Sequence, residues 1–193
     1  SAFTVSGDGV HTIEFWSVDV ADNTETHKTR TVRIDSTPPV TVASLAGTLG
    51  TNDWYQSSVQ VSLNATDNLL GVQNTFYRIN SGVVETYSAP FTLSAEGQHT
   101  VEYWSVDNIN NTEAAHSLVV KIDTAAPVVT AAANPSTANK GPKPVTVTIS
   151  GNATDAVSGL SSASFNVIDE YGVTQPSGAV TVQAITEGRA APC

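Results

Sequence analysis

Five aspartates stand where a chain of this kind could build oxygen-lined cation sites: Asp35, Asp67 and Asp107, and, 88 residues beyond the first two, Asp123 and Asp155. Calcium takes about six to eight oxygens from carboxylates, carbonyls and water, so acidic groups converging from separate segments are the chemistry to look for. Asn110 or Asn111 would add a side-chain carbonyl. Ca2+ is the one cofactor this constellation suggests. The competing reading is that Asp and Asn at strand ends bond the amides of their own turns. The sequence has no dense acidic run and no known metal-loop spacing.

Other chemistries leave fainter marks. Ser-His-Asp combinations can be drawn, as in any Ser-rich chain, but no serine lies in a nucleophile elbow. No catalytic residues are assigned, and the chain is expected not to be an enzyme. His11 and His99 occupy equivalent positions 88 residues apart and are read as hydrogen-bonded structural imidazoles. Trp16 and Trp104 are also equivalent. Each would stack on a sugar ring if exposed, or else cover neighbouring strands. Cys193 is the only cysteine, so no disulfide can close within one chain.

These residues need elements to position them, and the sequence repeats itself. Residues 3–40 recur as 91–128, with 19 of 38 aligned positions identical. GDGVHTIEFWSVDVADNTE stands over AEGQHTVEYWSVDNINNTE, and the Ala-Thr-Asp of 65–67 over that of 153–155. A period of this kind means stacked modules of one design. Short alternating apolar and polar runs between Gly, Asn, Asp and Pro clusters predict strands at 41–45, 59–64, 75–80, 83–87, 91–93, 99–106 and 114–122. Strands of that length and spacing predict an all-β fold of two-sheet antiparallel sandwiches. Residues 36–123 form the complete module. Residues 1–35 supply the last three strands of another, and 124–193 the first strands of a third. Glu102 belongs in water, so Val101, Tyr103 and Ser105 should point inward and Trp104 outward. In such a sandwich the linker, the loop after the second strand and the last hairpin turn meet at one end, bringing Asp35, Asp67 and Asp107 together. Asp123 and Asp155 would do the same at the next junction.

Composition narrows the partners. Eight basic against 18 acidic residues give a net charge of -10, which repels nucleic acid and anionic lipid and attracts divalent cations. No run of 18 apolar residues exists, so membrane insertion is not expected. Charged residues are only 13 %, with Thr, Ser, Val, Ala and Asn abundant, a strand-rich usage of extracellular character. The absence of Met suggests a processed or excised piece of a longer protein.

The pattern G-x-H-T-[IV]-E-[FY]-W-S-V-D, followed by an Asn-containing turn and I-D-[ST]-x-x-P, resembles the bacterial immunoglobulin-like, or fibronectin III-like, repeat modules of large secreted and cell-surface proteins. The resemblance implies tandem immunoglobulin-like sandwiches, one complete and two incomplete, with a structural or adhesive role outside the cell. Expected partners are neighbouring modules, other copies of the chain completing split modules head to tail into a filament, or a cell-surface or glycan ligand. The alternative is a carbohydrate-binding or spacer module of a secreted polysaccharide-degrading enzyme, with Trp16 and Trp104 facing the sugar. Such motifs specify a fold more sharply than a function.

Overall fold

A computed structural model describes residues 2–134, 148–164, 167–168 and 174–175. Cys193 lies outside the described residues. The chain divides into two compact units, Ser1–Ile122 and Asp123–Cys193. The first holds strands β1 (Gly9–Phe15), β2 (Lys28–Ile34), β3 (Val40–Ala46), β4 (Trp54–Tyr55), β5 (Val59–Thr66), β6 (Val72–Ile79), β7 (Glu85–Thr86), β8 (Phe91–Leu93), β9 (Gly97–Asp107) and β10 (His116–Ile122). The second holds β11 (Val128–Asn134), β12 (Thr148–Thr154), β13 (Val167–Ile168) and β14 (Thr174–Gln175). The described residues are all-β.

Residues from β3 to β10 build two sheets, one in the order β3-β5-β8 and one in the order β4-β10-β9-β6-β7. Alternation decides what each sheet hides. Val59, Val61 and Leu63 on β5 and Leu93 on β8 meet Val101 and Tyr103 on β9 and Val120 and Ile122 on β10 in one buried cluster. Each such side chain contributes about 1.5–3 kcal/mol by leaving water. On the opposite side of β9, Glu102 receives the Arg78 guanidinium through Nε at 2.6 Å and Nη2 at 3.1 Å.

A buried polar relay ties the two sheets together. The backbone N–H of Thr41 on β3 donates to Glu113 Oε2 at 3.0 Å, and its hydroxyl donates to Glu113 Oε1. Ser105 Oγ then donates to Thr41 Oγ1 at 2.6 Å, and Thr75 Oγ1 to Ser105 Oγ at 2.8 Å. The chain of hydroxyls runs from β6 through β9 to β3 and ends on a carboxylate in the β9–β10 turn, so every member is satisfied.

Two details differ from the sequence expectation. Strand β4 is an addition: its two residues pair in parallel with Lys121 and Ile122 of β10, too short a run for alternation to reveal. Phe3–Val5, which aligns with β8, forms no strand. Strand β8 exists by pairing with β5, and residues 1–35 contain no counterpart of β5 to pair with. Between β6 and β7 the chain turns through Asn80 and Ser81, both at positive φ, with the Gly82 N–H donating to Ile79 O at 2.8 Å, a tight turn whose twist suits the strands.

The ribbons outside this sandwich copy parts of it. Strand β1 pairs with β2 from Gly9↔Ile34 to Phe15↔Lys28, and β9 with β10 from Gly97↔Ile122 to Tyr103↔His116, every pair displaced by 88 residues. The β11–β12 register, Val128↔Thr154 to Asn134↔Thr148, repeats β3–β5 by the same displacement. Ribbon β1–β2 is held to the following linker by Asp8, whose carboxylate accepts from Ser36 N at 2.9 Å, Ser36 Oγ at 2.6 Å and Thr37 Oγ1 at 2.6 Å.

Thr41→Val removes one hydroxyl from the relay and leaves Glu113 and Ser105 short of a partner. It should cost about 1–3 kcal/mol, read as a lower denaturant midpoint at unchanged slope. An unaltered midpoint would show that the relay does not couple the sheets.

A candidate metal centre at the first junction

Asp35 follows β2 in the linker, Asp67 follows β5, and Asp107 ends β9. Backbone amides fix all three carboxylates. Asp35 accepts from Thr37 N on Oδ1 and Leu70 N on Oδ2, both at 3.2 Å. Asp67 Oδ1 accepts three amides, from Leu69 and Leu70 at 3.0 Å and from Gly71 at 2.8 Å. Gly71 has φ +84°, which glycine adopts without strain and which turns its N–H back onto the carboxylate. Asp107 Oδ1 accepts from Ile109 N at 2.9 Å and Asn111 N at 2.8 Å, and its Oδ2 from Asn111 Nδ2 at 2.8 Å. That same amide nitrogen lies 3.1 Å from the carbonyl oxygen of Asp35 and donates to it as well, tying the linker to the hairpin turn.

One carboxylate oxygen from each of the three aspartates lies within 4.8 Å of the other two. Asp35 and Asp107 are buried, at 6 % and 0 % exposure, and Asp67 is half-buried. Amide capping accounts for five of the six oxygens. The sixth, Asp67 Oδ2, is sealed from solvent and has no hydrogen-bond partner. A buried acceptor without a donor is costly, and one beside two further carboxylates is costlier still, because like charges in a partly dry corner repel. A divalent cation would supply what that oxygen lacks, and the all-oxygen donor set of carboxylates would suit a hard ion such as calcium.

Two arms of this arrangement recur 88 residues further on, within the second unit. Asp123 accepts from Ala125 N on Oδ1 at 3.1 Å and from Ser158 N on Oδ2 at 2.9 Å. Asp155 Oδ1 accepts from Val157 N at 3.1 Å and Gly159 N at 2.8 Å, with Gly159 at φ +80°. The Ser158 hydroxyl first, then the Ser158 and Ala125 amides and the Asp155 carboxyl group, hold Asp123 below the usual carboxylate range against the opposing effect of burial. The position equivalent to Asp107 is met at the other end of the chain by Asp19. Its Oδ1 accepts from Ala21 N at 2.9 Å and Asn23 N at 2.8 Å, and its Oδ2 from Asn23 Nδ2 at 2.8 Å.

The remaining candidates separate. Trp104 is half-buried and stacks on Phe76 at 5.9 Å between centroids, so it covers its own sheet. Trp16 is 49 % exposed and stacks on His27 at 4.2 Å. His11 Nε2 meets Gly7 O, and His99 Nε2 meets Ala95 O, both at 2.8 Å, a structural contact four residues back. Asn110 is an exposed turn residue at φ +72° and takes no part in the triad. Sequence reading passed over Glu113, although the recurrence of Ser17 and Glu25 as Ser105 and Glu113 marked the pair. No family model matches the chain, and no curated protein matches it.

The Leu69 amide first, then those of Gly71, Leu70 and Asn68, hold the Asp67 carboxyl below its ordinary range, while burial opposes them. A folded-state value below the unfolded one stabilises the fold above the unfolded pKa of about 3.9, and that stability is lost as pH falls through the lowered value. NMR titration of the Asp67 side-chain carbon in calcium-free buffer should give a midpoint below about 3.9. A midpoint above that value would mean that repulsion outweighs the amide cradle.

Proposed function

We propose that this chain is a non-catalytic segment of an extracellular array of immunoglobulin-like modules, whose junctions are stiffened by a divalent cation, with calcium the best fit. What carries the reading is the convergence of Asp35, Asp67 and Asp107 from linker, loop and hairpin turn, with one buried oxygen left unpartnered. The strand order of the two sheets around residues 36–122 fits an immunoglobulin-like sandwich, and the repeated registers fit a tandem series of them. Asp35 belongs to the segment joining β2 to β3, and Pro38 and Pro39 restrict the backbone after it. A cation bound by Asp35 together with Asp67 and Asp107 would fix the direction in which one module leaves the next. Such a series holds something at a distance from a surface, or spans to a partner. Extracellular millimolar calcium matches the affinity of such modules, on the order of 0.1–1 mM.

The bound ion would supply charge neutralisation and rigidity, not chemistry on a substrate. Calcium at about 100 times its dissociation constant should add roughly 2.7 kcal/mol to the stability of the first unit, seen as a rise in calorimetric Tm that a chelator reverses. Asp67→Asn keeps an oxygen for the three amides and replaces the unpartnered one with a donor. In chelator this variant should melt no lower than the parent, and calcium should no longer raise its Tm. If calcium leaves the parent's Tm unmoved, or moves the variant's equally, the triad is not the ion's site.

A further inference from the structure

The linker that carries Asp35 is held from both sides. On the sandwich side, Asp35 Oδ2 accepts from Leu70 N at 3.2 Å, and the Asp35 carbonyl oxygen accepts from Asn111 Nδ2 at 3.1 Å. On the other side, ribbon β1–β2 reaches the next two residues through Asp8. Its Oδ1 accepts from Ser36 N at 2.9 Å and Ser36 Oγ at 2.6 Å, and its Oδ2 from Thr37 Oγ1 at 2.6 Å. The two sets meet inside the linker, because Thr37 N donates to Asp35 Oδ1 at 3.2 Å. A continuous run of hydrogen bonds therefore leads from Asp8 to the triad, all of it within the first unit.

Asp8 is presented for this contact by its own turn. It lies between Gly7 and Gly9, at φ +89° and +145°, and His11 Nε2 meets Gly7 O at 2.8 Å, which pins the turn to β1. The Ser36 hydroxyl first, then the Thr37 hydroxyl and the Ser36 amide, hold the Asp8 carboxyl below the usual carboxylate range against the opposing effect of burial. Hydrogen bonds to an ionised acceptor are roughly twice as strong as neutral ones. The 88-residue shift lays Glu96 on Asp8 and Thr124 on Ser36, so an acid and a hydroxyl keep their places where the linker recurs. Asp35 is the triad member on the linker, whereas Asp67 and Asp107 stand on loops of the sandwich. Apparent affinity falls with the fraction of time a binding-competent arrangement is absent, so whatever docks the linker tunes the site.

We propose that Asp8 is a positioning residue of the cation site: by holding Ser36 and Thr37 it sets the Asp35 carboxylate against Asp67 and Asp107, and a divalent cation bound there in turn fixes ribbon β1–β2 to the sandwich. This rests on the reading of the triad as a cation site. Asp8 contributes no oxygen to the ion. Linkage makes the effect reciprocal, so the factor that the Asp8 clamp adds to cation affinity is the factor that the cation adds to the stability of the clamp.

Calorimetric titration of calcium into the 193-residue chain and its variants, with hydrogen exchange in calcium and in chelator, tests it. In the parent, calcium should slow exchange along β1–β2 as well as along β5 and β9. Asp8→Ala should bind calcium at least about fivefold more weakly. At saturating calcium its β5 and β9 should still gain protection and its β1–β2 should not. Ser36→Ala combined with Thr37→Val breaks the clamp from the linker side with the ribbon's sequence intact, and should match Asp8→Ala. Asp8→Glu, the residue type the repeat carries at this position, should recover affinity. Glu14→Gln removes the same charge from the same ribbon, where its contact is His27 at 3.0 Å, and should bind as the parent does. Undiminished affinity in Asp8→Ala or in the linker variant, or an equal loss in Glu14→Gln, overturns this proposal and leaves the triad as a cation site. So does a parent that binds calcium without protecting β1–β2. A parent that binds no calcium overturns the reading of the triad and this proposal with it.

Discussion

Three acidic groups crowded where water hardly reaches would push the surrounding loops apart unless something held them. Backbone amides do so here: Asp67 takes three on one oxygen, Asp107 is clasped by its own turn and Asn111, and Asp35 reaches across to Leu70. The linker direction, the shape of the loop after β5 and the β9–β10 turn all depend on this cradle. Its incompleteness at a single oxygen is what separates it from ordinary turn capping.

The second governing condition is that a sheet with one greasy side must hide it. Residues 36–122 meet that condition internally, with four buried side chains from each sheet and a hydroxyl relay locking their relative position. The ribbons β1–β2 and β11–β12 have the same registers without the same cover among the described residues. Arg30, on the same side of β2 as Val32, is the kind of charge that keeps an apolar face from pairing indiscriminately.

Much of the central sandwich was legible because strand alternation is local. The charge of Glu102 alone sets the phase of β9, and Val101, Tyr103 and Ser105 are buried as that phase requires. The meeting of Asp35, Asp67 and Asp107 follows from topology once a two-sheet sandwich is assumed. What stayed hidden depends on contacts between distant segments. Thr41 and Glu113 are 72 residues apart, and nothing near either one announces the other. The partner of Trp104 is Phe76 on the adjacent strand, so whether that indole lies open or covered could not be read from β9. Phe3–Val5 matches β8 in sequence yet forms no strand, because a ladder needs two sides.

Strand β4 pairs in parallel with the end of β10, Trp54 beside Lys121 and Tyr55 beside Ile122. The segment after β3 thereby crosses to the other sheet and runs side by side with the leaving strand, pointing the same way. Tension that has drawn β3 away from β5 would load those bonds in shear, so that they fail together, whereas a hairpin pulled open at its mouth unzips one bond at a time. A unit with this clip would yield to tugging through a high-barrier event whose rate, more than its equilibrium stability, sets how long it survives under load.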